Sequence, residues 1–153
     1  MPRRRQDADM VFLAAQAGEA RQIQPTLAFH YASDLEVYAT SQIFGGVNTP
    51  QGDPDLNGIK FSTLPWFFDQ RSPEKRTIIT TANPAVALQR LYALGVDSYQ
   101  LFPRLKLLEQ SPDTRLYGLT GSLSMNALRQ IEREQTWAKI VDGRAKPLPA
   151  VVR

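Results

Sequence analysis

The sequence predicts an α/β fold in which short strands form a parallel sheet and helices cover it. Residues 9–15 form a short continuous apolar run, which is typical of a strand buried on both faces of a parallel sheet. Residues 17–31 follow with apolar side chains at helical spacing, and residues 37–40 are the next strand candidate. A strand, a helix and a strand over roughly 30 residues form a βαβ unit, whose crossover is nearly always right-handed.

The next elements are predicted from the positions of proline and glycine and from the alternation of apolar and polar residues. Pro25 lies inside the predicted helix 17–31, so it should kink that helix or mark its true start. Residues 45–57 are rich in Gly, Asn, Asp and Pro, which predicts a loop. Residues 58–63 alternate apolar and polar side chains, which predicts a further strand. The mixed composition of residues 69–82 supports no firm assignment.

Residues 83–110 are predicted to form two short helices joined at Gly95. Asn83 can cap the first helix, with Pro84 at its first position, where a missing N–H costs nothing. Gly95 suits the left-handed residue that ends such a helix, and Asp97 then caps the second. The apolar stripes of this pair consist of Leu88, Leu91, Tyr92, Leu94, Tyr99, Leu101, Phe102 and Leu105. The apolar area of these stripes is too large to be left exposed to water, so the helices must pack against another surface.

The last third of the chain is predicted to be mostly extended. Residues 116–124 suggest two short extended pieces, and residues 126–134 fit either a helical turn or a long hairpin connection. Residues 137–141 predict a strand, with its turn at Asp142 and Gly143. With about five strands in all, the pattern is typical of the back part of a larger doubly wound fold.

Composition and charge exclude several classes of protein. Hydrophobic residues make up 42% and charged residues 22% of the 153 residues, as in an ordinary single globular domain. The formal charge of +3 equals the contribution of Arg3, Arg4 and Arg5, so the rest of the chain sums to zero. A nucleic-acid binder carries its charge as a patch on the folded body, so we expect no nucleic-acid partner. The basic residues lie in a predicted disordered arm, residues 1–8.

Sequence patterns of anchoring and export are absent from the printed chain. The longest apolar run, residues 10–15, is far shorter than the ~20 residues of a membrane-spanning helix. The chain contains no cysteine, which excludes disulfides, thiolate metal sites, a cysteine nucleophile and a lipidated cysteine within it. No apolar segment of signal-peptide length follows the basic start.

The residue patterns support no catalytic or metal site. His30 is the single histidine, and neither HExxH nor Gly-x-Ser-x-Gly spacing occurs. The glycine pair at 45–46 is not followed by the residues of a phosphate loop, and Asp53 and Asp55 lack the calcium-loop pattern. Residues 64–68 are either core or an exposed binding patch. We therefore expect no enzyme activity, no cofactor and no metal.

Taken together in their order, several segments closely resemble the C-terminal domain of the LppC/LpoA lipoproteins, a family of penicillin-binding protein activators. They are RRQDADMVFLAA (4–15), YATSQ (38–42), DLNGI (55–59), LPW (64–66), LYALGVDSY (91–99), GLTGSLS (118–124), WA (137–138) and DG (142–143). This resemblance runs over essentially the whole chain.

The resemblance implies part of a type I periplasmic-binding-protein-like fold, in which two α/β lobes are joined by crossing segments. Residues 9–145 are then a fragment of one α/β domain, followed by an extended tail at 146–153. Within it, residues 9–63 and 137–141 belong to the second lobe, a parallel-sheet βαβ lobe. Residues 84–110 are helices of the first lobe, and 118–124 is a crossing segment.

The resemblance also implies a function and a location. Family members are lipoproteins on the periplasmic side of the outer membrane, where they bind and activate a bifunctional class A penicillin-binding protein without catalysis of their own. The chain lacks the signal peptide, the lipidated cysteine and the first half of the two-lobed domain, so it is predicted to be a fragment of such a parent. Residues 83–110 are then expected to self-associate or to pack in a non-native way.

A second interpretation is a periplasmic module that binds a small ligand such as an amino acid or a sugar. Type I folds hold such ligands between their lobes. Ser41, Gln42, Tyr99 and Thr120 are the predicted cleft-lining residues.

Overall fold

The computed structural model describes residues 7–49 and 51–149, which fall into two compact units. Among the described residues, the first unit runs up to Thr63 and resumes at Trp137, and the second is Leu64–Thr136. The mixed α/β class is confirmed, whereas the lobe boundaries stay a prediction.

In chain order the elements are β1 (Met10–Leu13), α1 (Ala17–Phe29), β2 (Glu36–Ala39), β3 (Lys60–Thr63), α2 (Pro73–Ala82), α3 (Val86–Leu101), α4 (Leu105–Gln110), β4 (Leu116–Tyr117), β5 (Ser122–Met125), β6 (Ile131–Glu134), β7 (Thr136–Val141) and β8 (Arg144–Pro147).

The first unit is built on a five-stranded sheet with the order β1-β2-β3-β7-β8. The neighbours β1, β2 and β3 are parallel, which confirms the predicted βαβ start, and β7 and β8 are antiparallel. Asp142 and Gly143 join β7 to β8 with φ angles of 54° and 68°, the left-handed pair that a tight hairpin turn needs. Strand β8 was not predicted, and only its last two residues belong to the predicted extended tail at 146–153. Residues 150–153 of that tail lie outside the described residues, as does segment 1–6 of the predicted arm.

One face of this sheet is buried and the other is exposed. The buried residues are Leu13, Val37, Ala39, Phe61, Ala138, Ile140 and Ala145. On the opposite face, Met10, Phe12 and Trp137 are 58%, 66% and 47% exposed. The prediction that residues 9–15 are buried on both faces is therefore wrong, because β1 is an edge strand and α1 is the only described α-helix of this unit.

Helix α1 begins earlier than Pro25 and ends before His30. Its start is fixed by the Glu19 carboxylate, which accepts a hydrogen bond from the Gln16 N–H at 3.0 Å. Pro25 lies inside the helix, so the alternative in which it marks the start is wrong. The helix stops where Tyr31 takes the left-handed conformation, with φ 56°.

The second unit contains three α-helices among its described residues, and the first of them was missed. Helix α2 occupies most of the unassigned segment 69–82, and the Ser72 hydroxyl accepts from the Lys75 N–H at 3.1 Å as its N-cap. Asn83 was predicted to cap the following helix, but it ends α2 in the left-handed conformation, with φ 40°. Asparagine tolerates this conformation better than most residues, so the same residue type serves as a C-terminal stop.

Helix α3 runs without interruption through Gly95, so the prediction of two helices joined there is wrong. Asp97 is a buried mid-helix residue rather than a cap. The break comes at Phe102–Arg104, a short 3₁₀ segment that contains Pro103. Proline lacks the N–H of a continuing helix and clashes with the preceding turn, which explains why α4 starts a separate helix.

A three-stranded antiparallel sheet, β4-β5-β6, completes the second unit. Of the two alternatives for residues 126–134, the hairpin is confirmed. Its turn is held by the Asn126 side-chain oxygen, which accepts from the N–H groups of Leu128 and Gln130 at 3.0 Å each. Segment 64–68 is core rather than an exposed patch, since Leu64, Trp66 and Phe67 are buried.

Candidate interaction surface

A buried carboxylate on α3 organises the centre of the second unit. Asp97 is 2% exposed and accepts hydrogen bonds from the backbone N–H groups of Leu119 and Thr120, both at 2.7 Å. The Thr120 hydroxyl donates to the same carboxylate at 2.5 Å. At Gly118 a Cβ would lie 2.5–2.7 Å from the carboxylate atoms, so a larger residue there would push the carboxylate away from its donors. The segment 118–120 is thereby tied to α3 through one side chain.

A second anchor joins the start of this unit to its helices. The buried Trp66 ring donates from Nε1 to the side-chain oxygen of Gln89 at 3.0 Å, and the Trp66 N–H donates to the Leu119 carbonyl at 3.0 Å. The Lys75 amine donates to the carbonyls of Trp66 and Asp69 and lies 5.5 Å from the Trp66 ring centre. Burial lowers the pKa of Lys75, and the charge of Asp69 partly opposes that shift.

The outer side of α3 faces an open groove between α2 and α3, which we call the α2–α3 groove. Its volume is about 590 Å³. The groove is lined by Glu74, Ile78, Leu91, Tyr92, Gly95, Val96, Tyr99 and Gln100. Leu91 and Tyr99 are 63% and 84% exposed, so large apolar side chains stand open to solvent. An open apolar groove with few polar groups suits a hydrophobic side chain or helix of a partner protein.

The first unit has a different exposed surface, the unburied side of its sheet, which we call the open face. The open face includes Met10, Phe12, Glu36, Tyr38, Lys60, Trp137, Lys139, Arg144 and Lys146. At its centre the rings of Tyr38 and Trp137 meet edge to face, 5.9 Å between centres. The Tyr38 hydroxyl donates to Glu36 at 2.7 Å, and the Lys60 amine donates to the same carboxylate at 2.5 Å.

The ion pair between Glu36 and Lys60 on the open face shifts the pKa of both residues. Hydrogen bonds from Lys60 and Tyr38 lower the pKa of Glu36, and the hydrogen bond to Glu36 raises the pKa of Lys60. Lys60 also lies 5.3 Å from the centre of the Tyr38 ring. Charge and aromatic contacts therefore fix this cluster on an otherwise uncovered surface.

The four predicted cleft residues fall in both units. Ser41 and Gln42 lie in the 3₁₀ segment Ser41–Ile43, which follows β2 in the first unit. Tyr99 lines the α2–α3 groove, and the buried hydroxyl of Thr120 is bonded to Asp97 in the second unit. The cleft between lobes stays a prediction.

Two findings speak to chemistry and membrane insertion. Within residues 7–49 and 51–149, no three His, Cys, Asp or Glu side chains are grouped so as to hold a metal ion. No helix of the described residues is long and apolar enough to cross a membrane. His30 is exposed at the end of α1, with its ring 5.3 Å from that of Phe29.

Sequence reasoning missed both the role of Asp97 and the open face. The partners of Asp97 are 22 and 23 residues away, beyond any helical periodicity. The usable signal was a carboxylate among apolar helix residues followed by a glycine-containing loop. For the open face, the signal was the alternation of charged and aromatic residues in β2, with Glu36 and Tyr38 on one side and Val37 and Ala39 on the other.

Comparison with known proteins gives concordant results. The model of the LppC lipoprotein family matches residues 1–143. Penicillin-binding protein activator LpoA of Haemophilus influenzae is 34% identical over 117 residues, which are 75% of this chain and 20% of that protein. The LpoA of Pasteurella multocida is 30% identical over 138 residues, 90% of this chain and 24% of its own length. The chain thus spans between a fifth and a quarter of these relatives.

Solved structures agree with this result. The C-domain of LpoA from Haemophilus influenzae, described as a regulator of PBP1A, matches with a TM-score of 0.80 and 30% identity. The match covers 95% of this chain and 46% of that domain. A protein from Chromobacterium violaceum described as a branched-chain amino acid ABC transporter matches with a TM-score of 0.62 and 33% identity, over 86% of this chain and 42% of its own. By the match to its model over residues 1–143, the chain belongs to the LppC lipoprotein family.

Proposed function

We propose that this chain is part of a non-catalytic regulatory domain that binds and activates a bifunctional class A penicillin-binding protein. The observation that carries the proposal is the similarity of nearly the whole chain to the C-domain of an LpoA that regulates PBP1A. The curated relatives named above are penicillin-binding protein activators, and the chain spans only a fraction of each. For the full-length parent we propose the periplasmic side of the outer membrane, in keeping with a lipoprotein family.

Activation by such a domain is a binding effect. A regulator raises the activity of a synthase when it binds the active conformation more tightly than the inactive one. A coupling of 1–3 kcal/mol, the usual range, corresponds to roughly 5- to 150-fold. The α2–α3 groove is the surface of the second unit that best suits this contact, since Leu91 and Tyr99 are exposed hydrophobic anchors.

The test measures binding and activity with purified proteins. We would titrate the chain against a class A synthase by biolayer interferometry and follow glycan polymerisation with lipid II as substrate. The native chain should bind and increase the rate, and Tyr99→Lys should weaken both effects by about tenfold or more, because a desolvated anchor becomes a buried charge. Phe29→Lys, an exposed aromatic position of the first unit, is the matched control and should change neither. A native chain without binding or rate change contradicts the proposal.

The second candidate is a module for a small amino acid or sugar ligand. The observation in its favour is the 33% identity to the Chromobacterium violaceum protein described as a branched-chain amino acid transporter. A ligand present at a hundred times its dissociation constant should stabilise the protein by ~2.7 kcal/mol. Thermal unfolding with a panel of branched-chain amino acids would show this as a rise in Tm, and a flat response across the panel argues against the candidate.

A further inference from the structure

The α2–α3 groove contains a hole of definite shape on the surface of α3. The α3 side of the groove includes Tyr92, Gly95, Val96 and Tyr99, which occupy positions i, i+3, i+4 and i+7 of the helix. Residues at this spacing surround one hole on a helix surface, the kind of hole that receives a single side chain from a facing helix. The groove therefore offers a place for one inserted side chain rather than a flat apolar surface.

Gly95 makes this hole larger than an ordinary one. It carries no side chain, its backbone is helical, and a Cβ placed there would meet no atom within 4 Å. The space that a side chain would fill at this corner is therefore open to a partner. Glycine is less favourable than alanine inside a helix, and no neighbouring atom among the described residues requires a glycine here. A large apolar side chain such as Leu or Phe suits the enlarged hole.

The walls of the groove decide the backbone conformation of the partner. Both walls are α-helices, α2 and α3, whose backbone N–H and C=O groups bond within each helix. Neither of these described helices offers a sheet edge with which an extended peptide could pair. A helix satisfies its own backbone and presents an apolar face to a hydrophobic groove, so a helix is the partner structure that suits this site.

One acidic side chain sets the charge of the partner. Glu74, in the first turn of α2, is the charged residue among those that line the groove. Its carboxylate accepts from the Ser72 hydroxyl at 2.9 Å and from the Gln100 side-chain amide at 3.3 Å. These two neutral donors fix the carboxylate in position without neutralising its charge. A Lys or Arg of the partner complements this charge.

We propose that the α2–α3 groove binds an amphipathic α-helix of the class A synthase, with one large apolar side chain inserted beside Gly95 and a Lys or Arg beside Glu74. This inference rests on the proposed function, and it adds the secondary structure, the inserted side chain and the charge of the partner. Gly95 is then a specificity-determining residue, because its missing side chain sets the size of the side chain that enters. Glu74 selects the charge that lies next to it.

A larger residue at Gly95 tests the inserted side chain. Gly95→Leu fills the hole, and leucine is a better helix former than glycine. The variant should therefore unfold at a higher Tm yet bind the synthase at least about tenfold more weakly. The matched control is Ala87→Leu, at an exposed position of α3 that does not line the groove, and it should bind as the native chain does. A gain in stability combined with a loss of binding is a result that a purely structural role for Gly95 does not produce.

Removal of the Glu74 charge tests the second contact. Glu74→Gln keeps a side-chain oxygen that can accept from Ser72, but it removes the charge. Binding should weaken by about two- to fivefold at low salt, the range of an exposed ion pair, and the difference from the native chain should disappear at high salt. Glu109→Gln removes the charge of an exposed glutamate on α4, outside the groove, and should bind as the native chain does. An equal loss in both variants contradicts the contact at Glu74.

Cross-linking identifies the occupant directly. The chain contains no cysteine, so a benzophenone label on Leu91→Cys, at the exposed rim of the groove, is attached at one position only. With the synthase present, mass spectrometry should locate the cross-link in a segment with apolar residues at helical spacing and a neighbouring Lys or Arg. A cross-link to an extended segment of the synthase, or to a second copy of the chain, overturns the proposal.

The proposed function and the helical occupant fail in different ways. A native chain that does not bind the synthase contradicts both. A native chain that binds and raises the polymerisation rate, with Gly95→Leu binding equally well, contradicts the helical occupant and leaves the proposed function standing.

Discussion

The sheet of the first unit and helix α3 of the second unit differ in the kind of side chain that they bury. On the sheet, the buried positions are apolar and alternate along each strand, as with Val37 and Ala39 on β2. On α3 the buried positions are Ala93 and Asp97, while most of the large apolar side chains of the helix are exposed. The sheet is thus held by its apolar residues, whereas the inward side of α3 is held by a polar one.

This difference shows what an apolar stripe indicates. A small residue such as Ala93 lets another segment approach the helix closely, and the Asp97 carboxylate then satisfies the backbone N–H groups that come with that segment. The apolar side of α3 is left as surface, where it lines the α2–α3 groove. An apolar stripe on a helix predicts that this face packs against another surface. That surface need not be the core of the same unit.

Removal of the Asp97 carboxylate should have the largest effect. Asp97→Ala leaves the N–H groups of Leu119 and Thr120 and the Thr120 hydroxyl without their acceptor in a buried site. We expect the second unit to lose at least about 3 kcal/mol of unfolding free energy. Urea unfolding followed by the fluorescence of Trp66, in a Trp137→Phe background, measures this unit directly.

The matched comparison is Leu94→Ala on the exposed side of the same helix. It should cost less than about 1 kcal/mol, since this side chain is exposed. If Leu94→Ala costs as much as Asp97→Ala, the apolar side is the one that holds α3, and the contrast between the two units fails.

The second largest loss of stability is expected from Gly118→Ala, which tests the contact between Asp97 and segment 118–120 by a change in that segment. The added methyl group would lie 2.5–2.7 Å from the Asp97 carboxylate atoms, so the carboxylate must shift away from its donors. We expect a loss of about 1–3 kcal/mol, the usual cost of overpacking. Gly45→Ala is the control, because a Cβ there meets no atom within 4 Å and φ is not left-handed. Equal stability of the two variants would mean that 118–120 is not tightly held.

Gly95→Ala separates a continuous α3 from two helices joined at this glycine. Gly95 has a right-handed helical backbone, and a Cβ there meets no atom within 4 Å. Alanine in a helix interior is more favourable than glycine by roughly 0.5–1 kcal/mol, so the variant should be more stable by that amount. Thermal unfolding should show a higher Tm.

The control for this prediction is Gly58→Ala. Gly58 also has open space around its Cβ position, but its φ is +89°, a conformation that alanine adopts with strain. It should destabilise while Gly95→Ala stabilises. A less stable Gly95→Ala variant would indicate that the helix breaks at this residue, as the sequence suggested.

Much of the first unit could be predicted from the sequence, because its signals are local. The apolar run at 9–15, the alternation at 58–63 and the Asp142–Gly143 turn each specify their own conformation, and all three appear as predicted elements. The edge position of β1 could not be predicted, since strand order is a long-range property. The strand composition alone was equally compatible with a central strand.

The second unit was harder to predict because its decisive contacts are long-range. Gly95 and Asp97 carry the signals of a helix end and a cap, yet both lie within α3. The helix continues because the Asp97 side chain finds its donors at Leu119 and Thr120 instead of at its own backbone. Of the predicted cleft residues, Thr120 has its hydroxyl bonded to this same carboxylate, a contact that no local pattern indicates.

The smallest effect concerns pH and the open face of the first unit. The pKa of Glu36 is lowered by hydrogen bonds from Lys60 and Tyr38, so the folded state binds the Glu36 proton less readily than the unfolded state does. The resulting stability is present above the ordinary carboxyl pKa and is lost as pH falls through the lowered value. Unfolding of native chain and Glu36→Gln, followed by Trp137 fluorescence between about pH 6 and about pH 3, should show the difference between them shrink toward low pH. The pair is exposed, so the difference should be small and should weaken further in 1 M salt. A difference that grows as pH falls would mean that the protonated carboxyl, rather than the ion pair, stabilises the open face.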